Sequence, residues 1–165
     1  MKIILLIPIY NDRESLKKLI EIINFEVKDL NSEMSVIVIN DASSQQIIDT
    51  YQNLENINSL EIVNMKENRG HARCIASGLK YIFKNKEFDF VIPMDGDGED
   101  RPEEIKSFIQ LAEQLNDKSI VGERTKRSES LFFKICYQLH KLLTLGFTGH
   151  SIKFGNFTCL SKSTI

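Results

Sequence analysis

Apolar and polar positions alternate along this chain in blocks whose periods differ. Ile3 to Ile9 is an unbroken apolar run, the pattern of a strand covered on both faces. Leu16, Leu19, Ile20, Ile22 and Ile23 then recur at helical spacing, with Asn11 or Asp12 placed to cap the helix. Val36–Ile39 predicts a second strand, closed by the polar run Asn40-Asp41-Ala42-Ser43-Ser44. A short helix is expected through Ile47, Ile48, Tyr51 and Leu54, and a third strand over Leu60–Met65. Asn68-Arg69-Gly70 reads as a turn, before a helix marked by Ala72, Ile75, Ala76, Leu79, Ile82 and Phe83. Phe88–Met94 predicts a fourth strand and Asp95–Arg101 a polar loop. Pro102 opens the next helix at the first-turn position proline favours, with Ile105, Phe108, Ile109, Leu111 and Ala112 as its inner face. Ser119–Val121 is a short fifth strand, Leu131–Leu145 a fifth helix and Phe154–Leu160 a last strand.

Alternating strands and helices imply an α/β layer fold with a largely parallel, twisted, Rossmann-like sheet flanked by helices. In such sheets ligands bind beyond the carboxyl ends of the strands. The loops Tyr10–Glu14, Asn40–Ser44, Asn68–Arg73 and Asp95–Arg101 should therefore converge on one edge. With 165 residues the chain is expected to form one domain, and 42% hydrophobic residues exclude disorder as its main state. A net charge of −2 gives no global signature of nucleic-acid or membrane binding, and no nucleic-acid partner is expected. The run Ile3–Ile9 is too short for a signal peptide, contains Pro8 and lacks a small-residue cleavage site. Leu131–Phe147 is broken by Lys134, Gln138, His140 and Lys141, so it cannot span a bilayer, although it could lie on one. Cys74, Cys136 and Cys159 are odd in number and widely spaced, which favours buried thiols in a reducing, cytoplasmic setting over disulfides or zinc.

The densest chemistry is Asp95-Gly96-Asp97-Gly98-Glu99-Asp100. Like charges this close repel unless something neutralises them. In an extended segment Asp95, Asp97 and Glu99 would point to one side and present hard oxygens suited to Mg²⁺ or Mn²⁺. Asp100, Glu103 and Glu104 suit the helix start at Pro102. The stretch is not an EF-hand, since Asp100 stands where glycine is required and Lys106 where the bidentate glutamate is required. Pro8-Ile9-Tyr10-Asn11 and Asn40-Asp41-Ala42-Ser43 are neither dinucleotide nor P-loop cradles. Tyr10 could stack on a base, and Asp41 could accept from a base N–H, which would read uracil or guanine; both sites also suit plain turns. Arg124, Lys126, Arg127, Lys134 and Lys141 face only Glu129 in charge, and form either a phosphate-binding cluster or a solvated helix face. The apolar stripe between them packs on the core or lies in a membrane interface.

Pro8-Ile9-Tyr10-Asn11, Asn40-Asp41-Ala42-Ser43, Asn68-Arg69-Gly70 and Asp95-Gly96-Asp97 follow successive strands in order. This ordered set resembles the nucleotide-sugar domain of family-two inverting glycosyltransferases, which have a GT-A fold. Asn11-Asp12-Arg13-Glu14, the acidic stretch through Glu104 and Gly122-Glu123-Arg124 are most similar to dolichol-phosphate mannose synthase and bacterial polyprenyl-phosphate glycosyltransferases. The resemblance implies that Pro8, Tyr10, Asn11, Glu14 and Asp41 hold the nucleoside, with Asn68, Gly70 and Arg73 lining the same pocket. It implies that Asp95, Gly96 and Asp97 form the loop that meets the diphosphate, with Asp95, Asp97 and Glu99 holding Mg²⁺ or Mn²⁺, and that Arg124 binds phosphate. The catalytic set it implies is Asp97, Arg124 and the position of Asn156. Glu99 departs from a frequent Gln, and Asn156 stands where relatives carry an Asp that is a candidate base.

Asn156 cannot accept a proton near neutral pH. A sugar hydroxyl acceptor needs a base, whereas a phosphate monoester, with a second pKa of about 6, is already ionised. The resemblance thus implies metal-dependent transfer from a UDP- or GDP-linked sugar to a polyprenyl phosphate in cell-envelope synthesis, at the inner face of a membrane. Relatives also continue past the position of Ile165, which leaves either a truncated domain or a short variant as the expectation. The alternative is a catalytically weakened nucleotide-binding domain of the same fold.

Overall fold

The computed structural model of the chain describes residues 1–47, 54–115, 117–122 and 157–165. The chain divides into two compact units, Met1–Ile120 with Phe157–Ile165, and Val121–Asn156. Nearly all of the second unit lies outside the described residues, and with it the expected fifth helix, Cys136, Arg124, Asn156 and the basic cluster between them.

The described elements are β1 (Lys2–Ile9), α1 (Arg13–Glu26), β2 (Glu33–Asn40), β3 (Ser59–Asn64), α2 (His71–Asn85), β4 (Phe90–Pro93), α3 (Ile105–Leu115), β5 (Ile120–Val121) and β6 (Thr158–Ser161). A 3-10 turn over Pro102–Glu104 leads into α3. The helix expected from Ile47 to Leu54 falls on residues 48–53, outside the described set, and neither Ile47 nor Leu54 is helical. The sheet order is β3-β2-β1-β4-β6-β5. β1 pairs in parallel with β2 and β4, and β2 with β3. β6 returns antiparallel against β4, with Phe90 opposite Ser161.

The apolar run of β1 is buried on both faces, and its alternation sorts the core. Ile3, Leu5, Ile7 and Ile9 join Leu16, Leu19, Ile20 and Ile23 of α1 and Ile105, Phe108 and Ile109 of α3. Ile4 and Leu6 meet Cys74 and Ile82 of α2 on the other face. Gly78 lets α2 come close there, since a Cβ would stand 2.5 Å from Leu6 Cδ1. Cys74 and Cys159 are buried free thiols, pushed up by burial to about 11 and about 12, which keeps them protonated. Among the described residues no helix is long and apolar enough to cross a membrane.

The chain leaves β1 toward β2 and β3, then returns to β4 on β1's other side. The gap beyond the ends of β1 and β4 is therefore the switch point where a ligand crevice forms. Gly96 is pressed into it, for a Cβ there would lie 2.8 Å from the Pro8 carbonyl oxygen and 3.2 Å from Ile9 Cδ1.

Candidate functional site

Four polar loops follow β1, β2, β3 and β4; hydrogen bonds tie the first three together, and His71 at the start of α2 meets the fourth at Asp95. Asn11 N–H donates to Ser43 Oγ at 2.9 Å. Asn11 Oδ1 in turn accepts from Ser44 N–H at 2.8 Å, and Arg13 N–H donates to Gln45 Oε1 at 3.3 Å. The capping role that the sequence leaves open between Asn11 and Asp12 falls to Asp12, which accepts from Ser15 N–H at 3.2 Å. Asn11 is freed to bridge the loops, and it does so at φ 52, with Ala42 at φ 57. Two non-glycine residues in the left-handed region store strain that the bonds around them must hold.

Asn40 and Asp41 carry the link outward to β3. Asn40 Nδ2 donates to Asn64 Oδ1 at 2.7 Å, while Asn40 Oδ1 accepts from Ser43 N–H at 3.0 Å. Asp41 is only 3% exposed, and its two carboxylate oxygens accept the N–H groups of Arg69 at 2.8 Å and Gly70 at 2.9 Å. Gly70 precedes α2 at φ 82, a conformation that glycine adopts without cost. Asp41 thus fixes the loop that launches α2, besides any bond to a base, for which each oxygen keeps a lone pair.

The loop after β4 departs from the extended shape expected for it. Gly96 and Asp97 turn, Gly98 sits at φ 81, and Asp97 Oδ1 accepts Glu99 N–H at 2.9 Å. A side chain that closes a local turn bends the strand the alternation assumes. Among the described residues, no three His, Cys, Asp or Glu side chains converge to hold a metal ion. Asp100 departs from its expected capping role too. It is buried and accepts Asp95 N–H at 2.9 Å, while the 3-10 turn at Pro102 is preceded by Arg101 and has no side-chain cap.

Asp95 is the electrostatic focus. Burial pushes its carboxyl up, Asp100, Asp97 and Glu99 add to that, and His71 alone opposes it. His71 Nε2 lies 3.2 Å from Asp95 Oδ1. Sequence reasoning missed His71, because a single histidine at a helix start gives no sign of a partner 24 positions on. The donor set does fit a divalent ion of the Mg²⁺ or Mn²⁺ kind: hard oxygens, crowded negative charge, and one or two carboxylates that leave positions open for phosphate and water. It does not form a closed three-acid cage.

Of the remaining expected residues, Pro8 is buried at the end of β1 and Tyr10 is 53% exposed beside it. Glu14, Asn68, Arg73, Asp97 and Glu99 are exposed on the loops and helix starts around the gap, and Gly96 is buried within it. Arg124 and Asn156 lie outside the described residues.

Comparisons with known proteins agree with this geometry. The family model described as Glycosyl transferase family 2 matches residues 4–161. Undecaprenyl-phosphate 4-deoxy-4-formamido-L-arabinose transferase of Proteus mirabilis is 30% identical over 166 residues, which cover 98% of this chain and 48% of that protein. The enzyme of the same name from Photorhabdus laumondii is 30% identical over 167 residues with the same coverage. The chain thus spans about half the length of the curated relatives it matches. Glucosyl-3-phosphoglycerate synthase from Mycobacterium tuberculosis, in complex with Mn²⁺, UDP-glucose and phosphoglyceric acid, superposes with a TM-score of 0.66 at 11% identity over 98% of this chain and 57% of that one. A mannosyltransferase from Pyrobaculum calidifontis in complex with GDP-Man and Mn²⁺ gives 0.57 at 14% identity over 96% and 44%. At these identities the likeness shows the fold, which is GT-A.

Proposed function

The chain belongs to glycosyl transferase family 2, and from that premise we propose that it moves a sugar from a UDP- or GDP-linked donor to a polyprenyl phosphate, with Mg²⁺ or Mn²⁺ at the acidic loop. The observation that carries the reading is the set of four polar loops around the β1–β4 switch point, with Asp95 crowded by its own charge type. Tyr10 offers an exposed ring for the base, and Asp41 an acceptor for a base N–H beside the turn it holds. Asn11, Glu14, Asn68, Gly70 and Arg73 complete the nucleoside pocket. Asp95 and Asp97, with Glu99 beside them, hold the ion and through it the diphosphate; Arg124 takes a phosphate oxygen. The ion supplies Lewis-acid stabilisation of the departing diphosphate.

The acceptor follows from two supports. The relatives named above are undecaprenyl-phosphate transferases. Asn156, where a base is expected, cannot take a proton, and a phosphate monoester has none that must be removed. Its oxygen attacks the anomeric carbon as the bond to the diphosphate breaks, and the diphosphate leaves with the bonding pair. The lipid brings this reaction to a membrane surface.

Thermal shifts with UDP and GDP, with Mn²⁺, Mg²⁺ or EDTA, test the reading. At 100 times its dissociation constant the nucleotide should add about 2.7 kcal/mol in the presence of metal. Asp97→Asn should abolish the metal-dependent part. An equal shift in EDTA overturns the metal assignment, and no shift by any nucleotide overturns the function.

A further inference from the structure

Segment 66–86 carries Lys66, Arg69, Arg73, Lys80, Lys84 and Lys86 against a single acid, Glu67, in a chain whose net charge is −2. Helix α2 contains no Asp or Glu at all. Four of these cations border one open cleft of about 600 Å³ between the end of β3 and α2: Lys66, Arg69, Arg73 and Lys80. Asn64 and Ser77 add polar groups to it. Tyr10, Asn11, Asp41, Asp95 and Asp97 do not line it. It opens at the edge of the sheet, since β3 is the outermost strand beyond β2.

Glu67 is the one acid on the lining of the cleft, and it matches one of the four cations. Arg69 pairs with Glu67. Among the described residues, neither Lys66, Arg73 nor Lys80 has an ion-pair partner. Arg73, Ala76, Ser77 and Lys80 recur at helical spacing, so α2 turns one face to the cleft, with its small residues between the two cations. Small residues there leave room, and the volume is that of a site for a small ligand, roughly 300–1,000 Å³. Cations that converge on a space without repelling one another apart create a standing positive potential. Guanidinium forks and ammonium groups together suit phosphate oxygens, the first by paired hydrogen bonds and the second as point charges.

We propose that this cleft is a second anion site, which adjoins the nucleotide crevice at Arg73 and takes a ligand bearing phosphate groups on Lys66, Arg69 and Lys80. The phosphate belongs either to a free small molecule or to a lipid headgroup. The site does not depend on the transfer reaction argued above. Its ligand would touch Arg69, whose N–H Asp41 holds, so occupancy of the cleft meets the wall of the nucleotide pocket from outside.

Calorimetric titration of the full chain with inorganic pyrophosphate in EDTA, at low and high salt, provides the test. Lys66→Glu together with Lys80→Glu should weaken binding at least tenfold, and Ser77→Asp, which puts an acid on the same helix face, should weaken it as well. Both variants should bind UDP with Mn²⁺ as the unchanged protein does and keep its circular dichroism. Sedimentation with phosphatidylglycerol vesicles separates the sources: binding that Lys66→Glu and Lys80→Glu remove identifies a headgroup, and pyrophosphate binding without vesicle binding identifies a free ligand. The proposal is overturned if pyrophosphate and vesicles both fail to bind, if the variants bind them as well as the unchanged protein, or if UDP affinity falls in parallel, which would make these cations part of the nucleotide site. Loss of UDP binding in the unchanged protein, with pyrophosphate still bound through Lys66 and Lys80, would sink the glycosyltransferase reading alone.

Discussion

The two edges of the parallel sheet hold the same kinds of charged residue and treat them in opposite ways. Where the strands begin, charges are matched within the chain. Lys86 Nζ lies 2.5 Å from Glu61, whose carboxylate also accepts the Tyr81 hydroxyl. Lys162 stands 3.4 Å from Glu87, and Asp89 accepts Lys2 N–H at 2.7 Å. Burial pushes the Glu61 carboxyl up, but the bonds from Lys86 and Tyr81 outweigh it and leave it below its ordinary value. Where the strands end, burial and three neighbouring carboxylates push Asp95 up, with His71 alone against them. A carboxylate matched inside the chain supports the fold. One crowded by its own kind is satisfied only by a partner from outside, and such groups mark functional sites.

Asp41 belongs to the second edge yet is bonded like the first, so it is where the contrast can be broken hardest. Asp41→Ala leaves the Arg69 and Gly70 amides without their acceptor in a buried place. The expected cost is about 3 kcal/mol, read from urea unfolding, with UDP or GDP binding weakened more than Mn²⁺ binding. Asp41→Asn, which keeps one acceptor oxygen, should fall between. A loss below about 1 kcal/mol would mean that the loop stands without Asp41 and that the carboxylate serves the ligand alone. Equal binding of all four nucleoside diphosphates by the unchanged protein would mean that Asp41 holds the turn and reads no base.

Gly96 and Gly98 sharpen the comparison within one loop. Gly96→Ala drives a methyl to 2.8 Å from the Pro8 carbonyl, which is backbone and cannot turn aside. It should cost about 1–3 kcal/mol and reduce nucleotide affinity, because the switch-point gap must widen. Gly98→Ala meets nothing within 4 Å and carries only the strain of φ 81, about 1 kcal/mol. Differential scanning calorimetry separates the two. If they cost the same, conformation alone governs this loop, and the close approach to β1 does not matter.

What the sequence makes legible follows the range of the forces involved. Burial on both faces writes itself as apolar runs, so β1, β2 and β4 and the loops after them can be placed from Ile3–Ile9, Val36–Ile39 and Phe88–Met94. The helix faces of α1 and α3 can be read for the same reason, except at Ile22 and Leu111, which the spacing puts inside and which are exposed. The acidic loop is conspicuous, but its shape is not. The Asp97 side-chain bond to Glu99 N–H and the left-handed Gly98 replace the extended alternation that would align three carboxylates. The second carboxylate role of Asp41 and the pairing of His71 with Asp95 join residues 28 and 24 positions apart, and no local pattern encodes such a meeting. Asp100 looks like a helix cap because caps are local, whereas its partner is the amide of Asp95, five residues back.

The smallest effects are the most direct test of the contrast, because they must have opposite signs. Glu61 has a folded pKa below its ordinary 4.5, so it binds fewer protons folded than unfolded near that pH. Its contribution is fully present above pH 4.5 and is lost as pH falls through the lower folded value. Glu61 and Lys86 are each about one-third exposed, at 34% and 35% of side-chain area, so solvent screens the pair and about 0.5–1 kcal/mol is expected. Glu61→Gln should therefore lower stability by that amount at pH 7 and pH 5.5, with the difference shrinking toward pH 3.5. Asp95 has a folded pKa above its ordinary 3.8 and binds more protons folded than unfolded, so its ionisation lowers stability as pH rises through that window. Without metal, Asp95→Asn should raise stability at pH 7, and the gain should vanish in acid. Urea unfolding of both variants at the three pH values, in EDTA, checks the pair. Two losses at neutral pH would mean that His71 satisfies Asp95 as fully as Lys86 satisfies Glu61, and the two edges would then follow one rule. Added Mn²⁺ with UDP should reverse the sign for Asp95→Asn alone, because the outside partner that the crowded edge lacks would then stabilise only the unchanged protein.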